Sequence, residues 1–296
     1  MKKYKIIQLA GQSFFSFMAV MAASSAHTAA IKNAEPQNLT VYMEQLLGDG
    51  DYRNFKDVRE LNRVSSWIRE QMRLFGIPCQ YQNYKVNDEA YRNVVCSLKT
   101  AHAGKVIVGA HYDVFEQSPG ADDNASGVSA VLQIARAFLA SGQQPERNVI
   151  FAFWDGEEKG LLGSKYFVQT CPFVSQIKGY LNFDMIGRNN KPEQPKHVVY
   201  FYTAAHPSFG DWLKKDIKKY GLQLEPDYRA WDNPVGGSDN GTFAKAGIPI
   251  IWYHTDGHPD YHQPSDHADR LNWDKIVEIT KASFLNMWKM ANEASW

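Results

Sequence analysis

Short apolar runs alternate along this chain with amphipathic helical segments, and this alternation restricts the fold more than any other feature. Four runs are typical of buried strands: "KVIVGA", "NVIFAFW", "GYLNFDMI" and "IPIIWYHT". Apolar residues recur at helical spacing in "SGVSAVLQIARAFLA" and over residues 57–75. Alternating elements of this kind form a mainly parallel sheet that helices cover on both faces. We therefore predict an α/β protein.

The first 30 residues have the composition of a targeting segment. Lys2, Lys3 and Lys5 precede the apolar stretch "FFSFMAVMAA", and the small residues of "SSAHTAA" follow. This is the order of a secretory signal peptide, with cleavage predicted after Ala26 or Ala30. We predict a signal peptide at 1–30, a linker at 31–38 and a single domain at 39–296. The mature protein is then periplasmic or secreted, with no membrane span.

The charge balance argues against polyanionic partners. Lysine plus arginine and aspartate plus glutamate both total 32, so the formal net charge is zero. A protein that binds nucleic acid or an anionic membrane usually carries a basic patch or run. We therefore predict no nucleic-acid partner.

The three cysteines place little restriction on the function. Cys79 and Cys96 lie on two adjoining strand-like runs, so a disulfide between them is left open. No CxxC pair occurs, and a thiolate metal site is therefore not indicated.

Histidine and carboxylate side chains follow the predicted strands at the point where each strand ends. Because the carboxyl ends of parallel strands meet at one edge of a sheet, we expect these groups to converge there. Histidine and carboxylate are the ligands that zinc and other borderline divalent ions take. The groups are His111, Asp113, Glu157, Glu158, Asp184, His258 and His262, with Asp122 and Asp123 in the loop before a helix.

The adjacent aspartates of "GADDNASG" predict a pair of metal ions rather than one. A single aspartate before a helix is usually a cap, but two side by side repel each other. Two cations held close together can share a bridging carboxylate. One of Asp122 and Asp123 is then the bridge, and the other caps the helix or orients its neighbour.

Five blocks together resemble the co-catalytic di-zinc exopeptidases of clan MH, of the bacterial leucyl-aminopeptidase type. The resemblance covers roughly residues 53–292 and rests on "HYD", "GADDNASG", "WDGEEKGLLGS", "NFDMIG" and "DYHQPSD". It implies a three-layer aminopeptidase-like fold with a central, mostly parallel, mixed sheet. It also implies a zinc aminopeptidase that acts on peptides, which the predicted signal peptide would make a secreted or periplasmic enzyme.

The resemblance further implies a role for each site residue. Two zinc ions are expected, and Asp123 bridges them. Glu157 is the general base, and Asp113 hydrogen-bonds His111 and fixes its tautomer. The remaining ligands are His111 and Asp184 on one zinc, and Glu158 and His262 on the other.

Other activities on the same fold stay open. A carboxypeptidase or dipeptidase needs a basic group for a terminal carboxylate, and Arg188 lies close to Asp184 in the sequence. A single-zinc glutaminyl cyclase and a metal-free receptor-like module are weaker alternatives. The absence of GxSxG and HExxH argues against a serine hydrolase and a helical zincin.

The sequence departs from the family pattern in the block "GGSDNGTF". Asn240 stands where histidine is usual, and Val235 lies near the place of a tyrosine that some relatives use to steady the tetrahedral intermediate. Tyr228 and Tyr253 are candidate substitutes. His258 is the second choice for the ligand assigned to His262, and it otherwise lines the pocket. Side-chain preference and oligomeric state are not indicated.

Overall fold

Eight strands form one continuous sheet through the middle of the protein. The computed structural model describes Thr28, residues 36–49 and residues 52–296. The strands in these ranges are β1 (Cys79–Val86), β2 (Glu89–Leu98), β3 (Lys105–His111), β4 (Asn148–Trp154), β5 (Ile177–Phe183), β6 (His197–Thr203), β7 (Glu225–Trp231) and β8 (Ile250–His254).

The four apolar runs form the centre of this sheet. They lie side by side in the order β4, β3, β5, β8, and every pair is parallel. β2 pairs antiparallel with β4 and β1 with β2 on one side, and β6 pairs antiparallel with β8 on the other. β7 adds to β6 in parallel at the edge. The prediction of a mostly parallel, mixed sheet is confirmed.

Helices cover both faces of the sheet, so the predicted three layers are confirmed. Alternate residues of β3 enter different cores: Val106 and Val108 pack with most of the helices, whereas Ile107 packs on the opposite face. The first core contains residues of α1 (Pro36–Leu47), α2 (Val58–Leu74), α3 (Gly127–Ala140), α5 (Ser208–Tyr220) and α7 (Trp273–Asn292). The second contains residues of α4 (Leu162–Thr170) and α6 (Asn240–Lys245).

Strand β7 and helix α6 were not predicted from the sequence, and helix α1 begins within the predicted linker. β7 has no buried residue, because it lies at the edge of the sheet, and it therefore lacks a continuous apolar run. α6 is too short to show helical periodicity. α1 begins at Pro36, where the fixed φ of proline suits the first turn of a helix, so residues 36–38 are helical rather than linker. The rest of the predicted linker, and the predicted signal peptide apart from Thr28, lie outside the described residues.

A disulfide joins the first two strands. Cys79 and Cys96 face each other in the register of β1 and β2, with their Cα atoms 3.9 Å apart, and their sulfur atoms are bonded. The pairing that the sequence left open is therefore present. Cys171 is a buried free thiol. Across the described part of the chain, no helix has the length and apolar character needed to cross a membrane.

Candidate metal centre

The carboxyl ends of the central strands bring the predicted site residues together. His111 is the last residue of β3, and Asp184 directly follows β5. The predicted strand at 179–186 ends at Phe183 because Met185 turns the chain with a φ of 58°. Each of these two side chains therefore leaves the sheet at the same edge.

A tight loop after β4 places the two glutamates. Gly156 and Gly160 have φ values of 73° and 100°, a region that glycine adopts readily. Between them, the backbone N–H groups of Glu157 and Glu158 donate to the two carboxylate oxygens of Asp113, at 3.1 and 3.2 Å. Asp113 therefore holds the backbone of the glutamate loop.

The same aspartate lies beside His111. The His111 Nδ1 atom is 3.2 Å from the carbonyl oxygen of Asp113 and 3.5 Å from its carboxylate. Both of these atoms are acceptors, so Nδ1 carries a proton, and Nε2 faces the carboxylates of Asp123 and Asp184. A hydrogen bond between Asp113 and His111 was predicted, and the structure has it at the backbone carbonyl oxygen; the role of Asp113 in the reaction stays a prediction.

The two carboxylate oxygens of Asp123 lie next to two different histidine–carboxylate pairs. Its Oδ1 is 3.2 Å from Nε2 of His111, which lies 3.4 Å from Oδ1 of Asp184. Its Oδ2 is 3.4 Å from Nε2 of His262, which lies 3.0 Å from Oε2 of Glu158. One carboxylate thus spans two sets of ligand atoms, and all five residues predicted as ligands meet here.

Glu157 belongs to the same cluster. Potential ligand atoms of His111, Glu157 and Asp184 lie within 4.8 Å of one another, as do those of His111, Asp123 and Glu158. The distances therefore allow Glu157 to act either as a base beside the metals or as a ligand.

Among the described residues, the cluster contains more carboxylate groups than imidazole groups, so its acidic groups outnumber its basic ones. Burial raises the pKa of Glu157 well above its ordinary value, and it raises that of Glu158 to about 7 with help from the charge of Asp123. Burial would lower the pKa of His111, but the charges of Glu157 and Asp184 hold it well above its usual range. The Oε1 atom of Glu158 has no hydrogen-bond partner in the described chain. Divalent cations suit this donor set, because they would offset the repulsion and supply the missing partner.

Two structural supports for the Asp122–Asp123 turn were not anticipated. The buried guanidinium of Arg53 donates to the carbonyl oxygens of Tyr112, Pro119 and Gly120 at 2.6–2.9 Å. Gly120 has a φ of 66°, and a Cβ there would lie 2.3 Å from the carbonyl oxygen of Asp123. No sequence motif marks Arg53, because its partners are backbone atoms more than 50 residues away.

The histidines of the last loop have distinct positions. His262 lies between the rings of Phe115 and Tyr261, at centroid distances of 4.0 and 3.8 Å. The side chain of His258 is fully buried, with its Nε2 3.1 Å from Asp122, and does not line the cavity. His254 lines the cavity and hydrogen-bonds the carbonyl oxygen of Asp184 through Nδ1 at 2.7 Å.

A cavity of about 290 Å³ opens at the cluster. Gly237, with a φ of 85°, packs against Trp252 at its lining, and a Cβ there would lie 2.6 Å from the indole ring. The lining residues are Asp123, Glu157, Glu158, Asp184, Met185, Gly237, Trp252, His254, Gly257, Tyr261 and His262.

The tyrosine at this cavity is Tyr261, which corrects the two substitutes named from sequence. Tyr253 is fully buried and its hydroxyl donates to Asn286. Tyr228, on β7, packs against Tyr200 of β6. Burial and the charges of the neighbouring carboxylates, Asp123 foremost, raise the pKa of the Tyr261 hydroxyl. The sequence feature that could have identified Tyr261 is its position directly before His262.

The departure at Asn240 has a structural explanation, and so does the position of Arg188. The amide of Asn240 donates to the carbonyl oxygens of Pro234 and Gly236, and its Oδ1 accepts from the backbone of Ser238. Asn240 therefore shapes its own loop. Arg188 lies 2.6 Å from the carboxylate of Asp260 and is engaged in that ion pair.

The sequence matches one protein family over most of the described fold. A family model described as peptidase family M28 matches residues 93–286, a range that contains every site residue predicted from sequence. Leupeptin-inactivating enzyme 1 of Streptomyces exfoliatus is 31% identical over 187 residues, which are 62% of this chain and 40% of that protein. An aminopeptidase of Pseudomonas aeruginosa is 43% identical over 138 residues, 45% of this chain and 22% of that protein. A probable zinc metalloprotease of Pyricularia oryzae is 24% identical, over 89% of this chain and 66% of that protein.

Solved structures share the fold. The LapA aminopeptidase of Legionella pneumophila superposes with a TM-score of 0.78 at 24% identity, over 90% of this chain and 75% of that one. A glutaminyl cyclase of Macrostomum lignano superposes with a TM-score of 0.74 at 18% identity, over 90% of this chain and 92% of that one. At these identities the likeness concerns the fold alone, and the fold is common to enzymes of different activity.

Proposed function

This chain belongs to peptidase family M28, and we propose that it is a secreted di-zinc aminopeptidase that removes N-terminal residues from peptides. The observation that carries the proposal is the division of the Asp123 oxygens between two histidine–carboxylate pairs. A carboxylate in that position suits two metal ions held close together.

The chain would hold the two zinc ions through five side chains. His111 and Asp184 would bind one, Glu158 and His262 the other, and Asp123 both. When bound, the zinc pair supplies Lewis-acid chemistry: it makes a water molecule more acidic and polarises the scissile carbonyl.

The residues of the chain account for the remaining steps. Glu157 lines the cavity and accepts a proton from the attacking water on its carboxylate, then passes it to the leaving amine. The hydroxyl of Tyr261, a residue that also lines the cavity, donates to the substrate carbonyl oxygen as that atom gains negative charge. Asp113 keeps Glu157 in place through its backbone N–H.

The charge of the cavity favours an aminopeptidase over a carboxypeptidase. Four carboxylates line the described cavity, and no lysine or arginine is among its lining residues. With the zinc pair bound, a C-terminal carboxylate would find no basic side chain among these residues, whereas a free N-terminal ammonium group could pair with a carboxylate there. The basic group considered for a carboxypeptidase, Arg188, pairs with Asp260 instead.

An extracytoplasmic location is part of the proposal. A disulfide such as Cys79–Cys96 forms and persists in oxidising compartments, which supports secretion or a periplasmic location. We also propose that residues 1–30 are the signal peptide and that the chain from the start of α1 (Pro36–Leu47) onward is a single catalytic domain.

The decisive test of the activity is a mass-spectrometric time course with the zinc-loaded protein. Matched peptides would carry a free or an acetylated N-terminus, each with a free or an amidated C-terminus. We expect stepwise loss of N-terminal residues from every peptide with a free amine, and no cleavage of acetylated peptides. Loss of C-terminal residues, or equal cleavage of acetylated peptides, would contradict the proposal.

Replacing Tyr261 by phenylalanine is expected to lower kcat by about 10²–10³-fold with a small change in KM, because a hydroxyl that acts on the transition state is lost. Steady-state kinetics on a good peptide substrate would measure this. Tyr228→Phe is the matched control, since Tyr228 lies on β7 and does not line the cavity. A wild-type kcat in Tyr261→Phe would remove the hydroxyl from the mechanism.

A further inference from the structure

The carboxylate of Asp122 joins three segments of the chain behind the metal centre. It is fully buried and does not line the cavity. Its Oδ1 accepts the backbone N–H of Gly187 at 2.6 Å, and its Oδ2 lies 3.1 Å from Nε2 of His258. Its own backbone N–H donates to the carboxylate of Asp266 at 3.0 Å.

Each of these segments carries a residue of the candidate metal centre. Asp123 is the next residue after Asp122, Asp184 is three residues before Gly187, and His262 is four residues after His258. The contacts of one side chain therefore tie together the backbone of the bridging residue and of a ligand from each metal pair.

His258 makes no other polar contact with the described residues that would suggest a different role. Its side chain is fully buried, and neither ring nitrogen has a hydrogen-bond partner in the described chain, which leaves the 3.1 Å contact with Asp122 as its polar interaction. Burying an imidazole is costly unless it is paired. The buried ammonium group of Lys275, which also lies near Asp122, donates to the carbonyl oxygen of Arg188.

We propose that Asp122 and His258 form a positioning pair that sets the distance between Asp123 and His262. Asp122 is fixed to the turn that carries the bridging carboxylate, and His258 is fixed to the loop that carries a terminal ligand. The pair therefore fixes the position of His262 relative to Asp123, and so determines how tightly Glu158, His262 and Asp123 would bind a metal ion. This inference rests on the proposed di-zinc function and assigns a role to the first aspartate of the sequence pair.

The test is the stepwise zinc affinity of variants, measured by competition with a chelating dye and by isothermal titration. His258→Leu removes the imidazole and keeps much of its volume. We expect one of the two zinc ions to bind about 10–100-fold more weakly, as happens when a supporting partner of a metal ligand is lost. The other zinc ion should be affected much less, and kcat should fall more than KM changes.

Two further variants separate positioning from general stability. In His258→Gln the amide nitrogen falls near the position of Nε2, so zinc affinity should largely recover. Val131→Ala, a core substitution in α3, should lower the unfolding temperature and leave zinc affinity unchanged. If His258→Leu does not fold, Asp122→Asn carries the test, because it keeps the shape and removes the charge. The double variant should lose no more zinc affinity than either single one.

The outcomes are distinguishable. Wild-type zinc affinity in His258→Leu or Asp122→Asn, or an equal loss in Val131→Ala, overturns the positioning pair and leaves the proposed function intact. A wild-type protein that binds fewer than two zinc ions overturns the di-zinc function, and the positioning pair falls with it.

Discussion

Replacing Glu157 by glutamine is expected to lower kcat for peptide hydrolysis by about 10²–10⁴-fold, the usual contribution of a positioned acid–base group. Glutamine has nearly the same shape, and the backbone N–H bond to Asp113 does not depend on the side chain. The amide, however, cannot accept a proton from water. KM should change little, because the ground-state contacts of the substrate are retained.

Zinc content decides between the two roles that the distances allow for Glu157. If Glu157 is the base, the glutamine variant keeps two zinc ions per chain, and only its kcat is lower. If it is a ligand within the His111–Asp184 group, the variant loses zinc. Glu158→Gln is the matched control on the adjacent residue and should lose zinc, since Glu158 lies 3.0 Å from His262. Equal rates for Glu157→Gln and wild type would exclude Glu157 from the chemistry.

The parts of the site that could be predicted follow directly from strand ends. The central strands are buried on both faces and therefore appear as continuous apolar runs. Once their direction is known, residues such as His111 and Asp184 have little freedom of position, because they are at or next to the last residue of a strand. The glutamate loop was predictable for a similar reason, since its two glycines bracket a tight turn.

The remaining parts depend on contacts between distant segments. Arg53 acts on backbone carbonyls, and His258 meets Asp122 through a loop from another part of the chain. Neither contact has a local periodicity or spacing that a sequence could reveal. The edge strand β7 is half exposed and lacks an apolar pattern. Tyr261 is visible in the sequence only as a neighbour of a ligand, and the fold is needed to place its ring at the cavity.

Replacing Asp123 by asparagine is expected to have the second large effect: the protein should bind at most one zinc ion and lose peptidase activity to background. Two doubly charged cations about 4 Å apart repel by roughly 16 kcal/mol at an effective dielectric constant of 20. A carboxylate between them offsets part of this repulsion. An asparagine has the same shape but no charge, and it presents only one oxygen.

Thermal unfolding with and without zinc would check this independently of activity. Zinc bound only by the folded state raises the unfolding temperature of the wild-type protein, and most of that increase should disappear in Asp123→Asn. Asp227→Asn, a half-exposed aspartate on β7 that pairs with Arg229, is the control and should keep both zinc ions. If Asp123→Asn binds two zinc ions with wild-type affinity, Asp123 is not a bridge. Its position between His111 and His262 would then reflect only the pairing of a carboxylate with two imidazoles. If it binds one ion or none, Asp123 has the bridging role that the adjacent aspartates predicted.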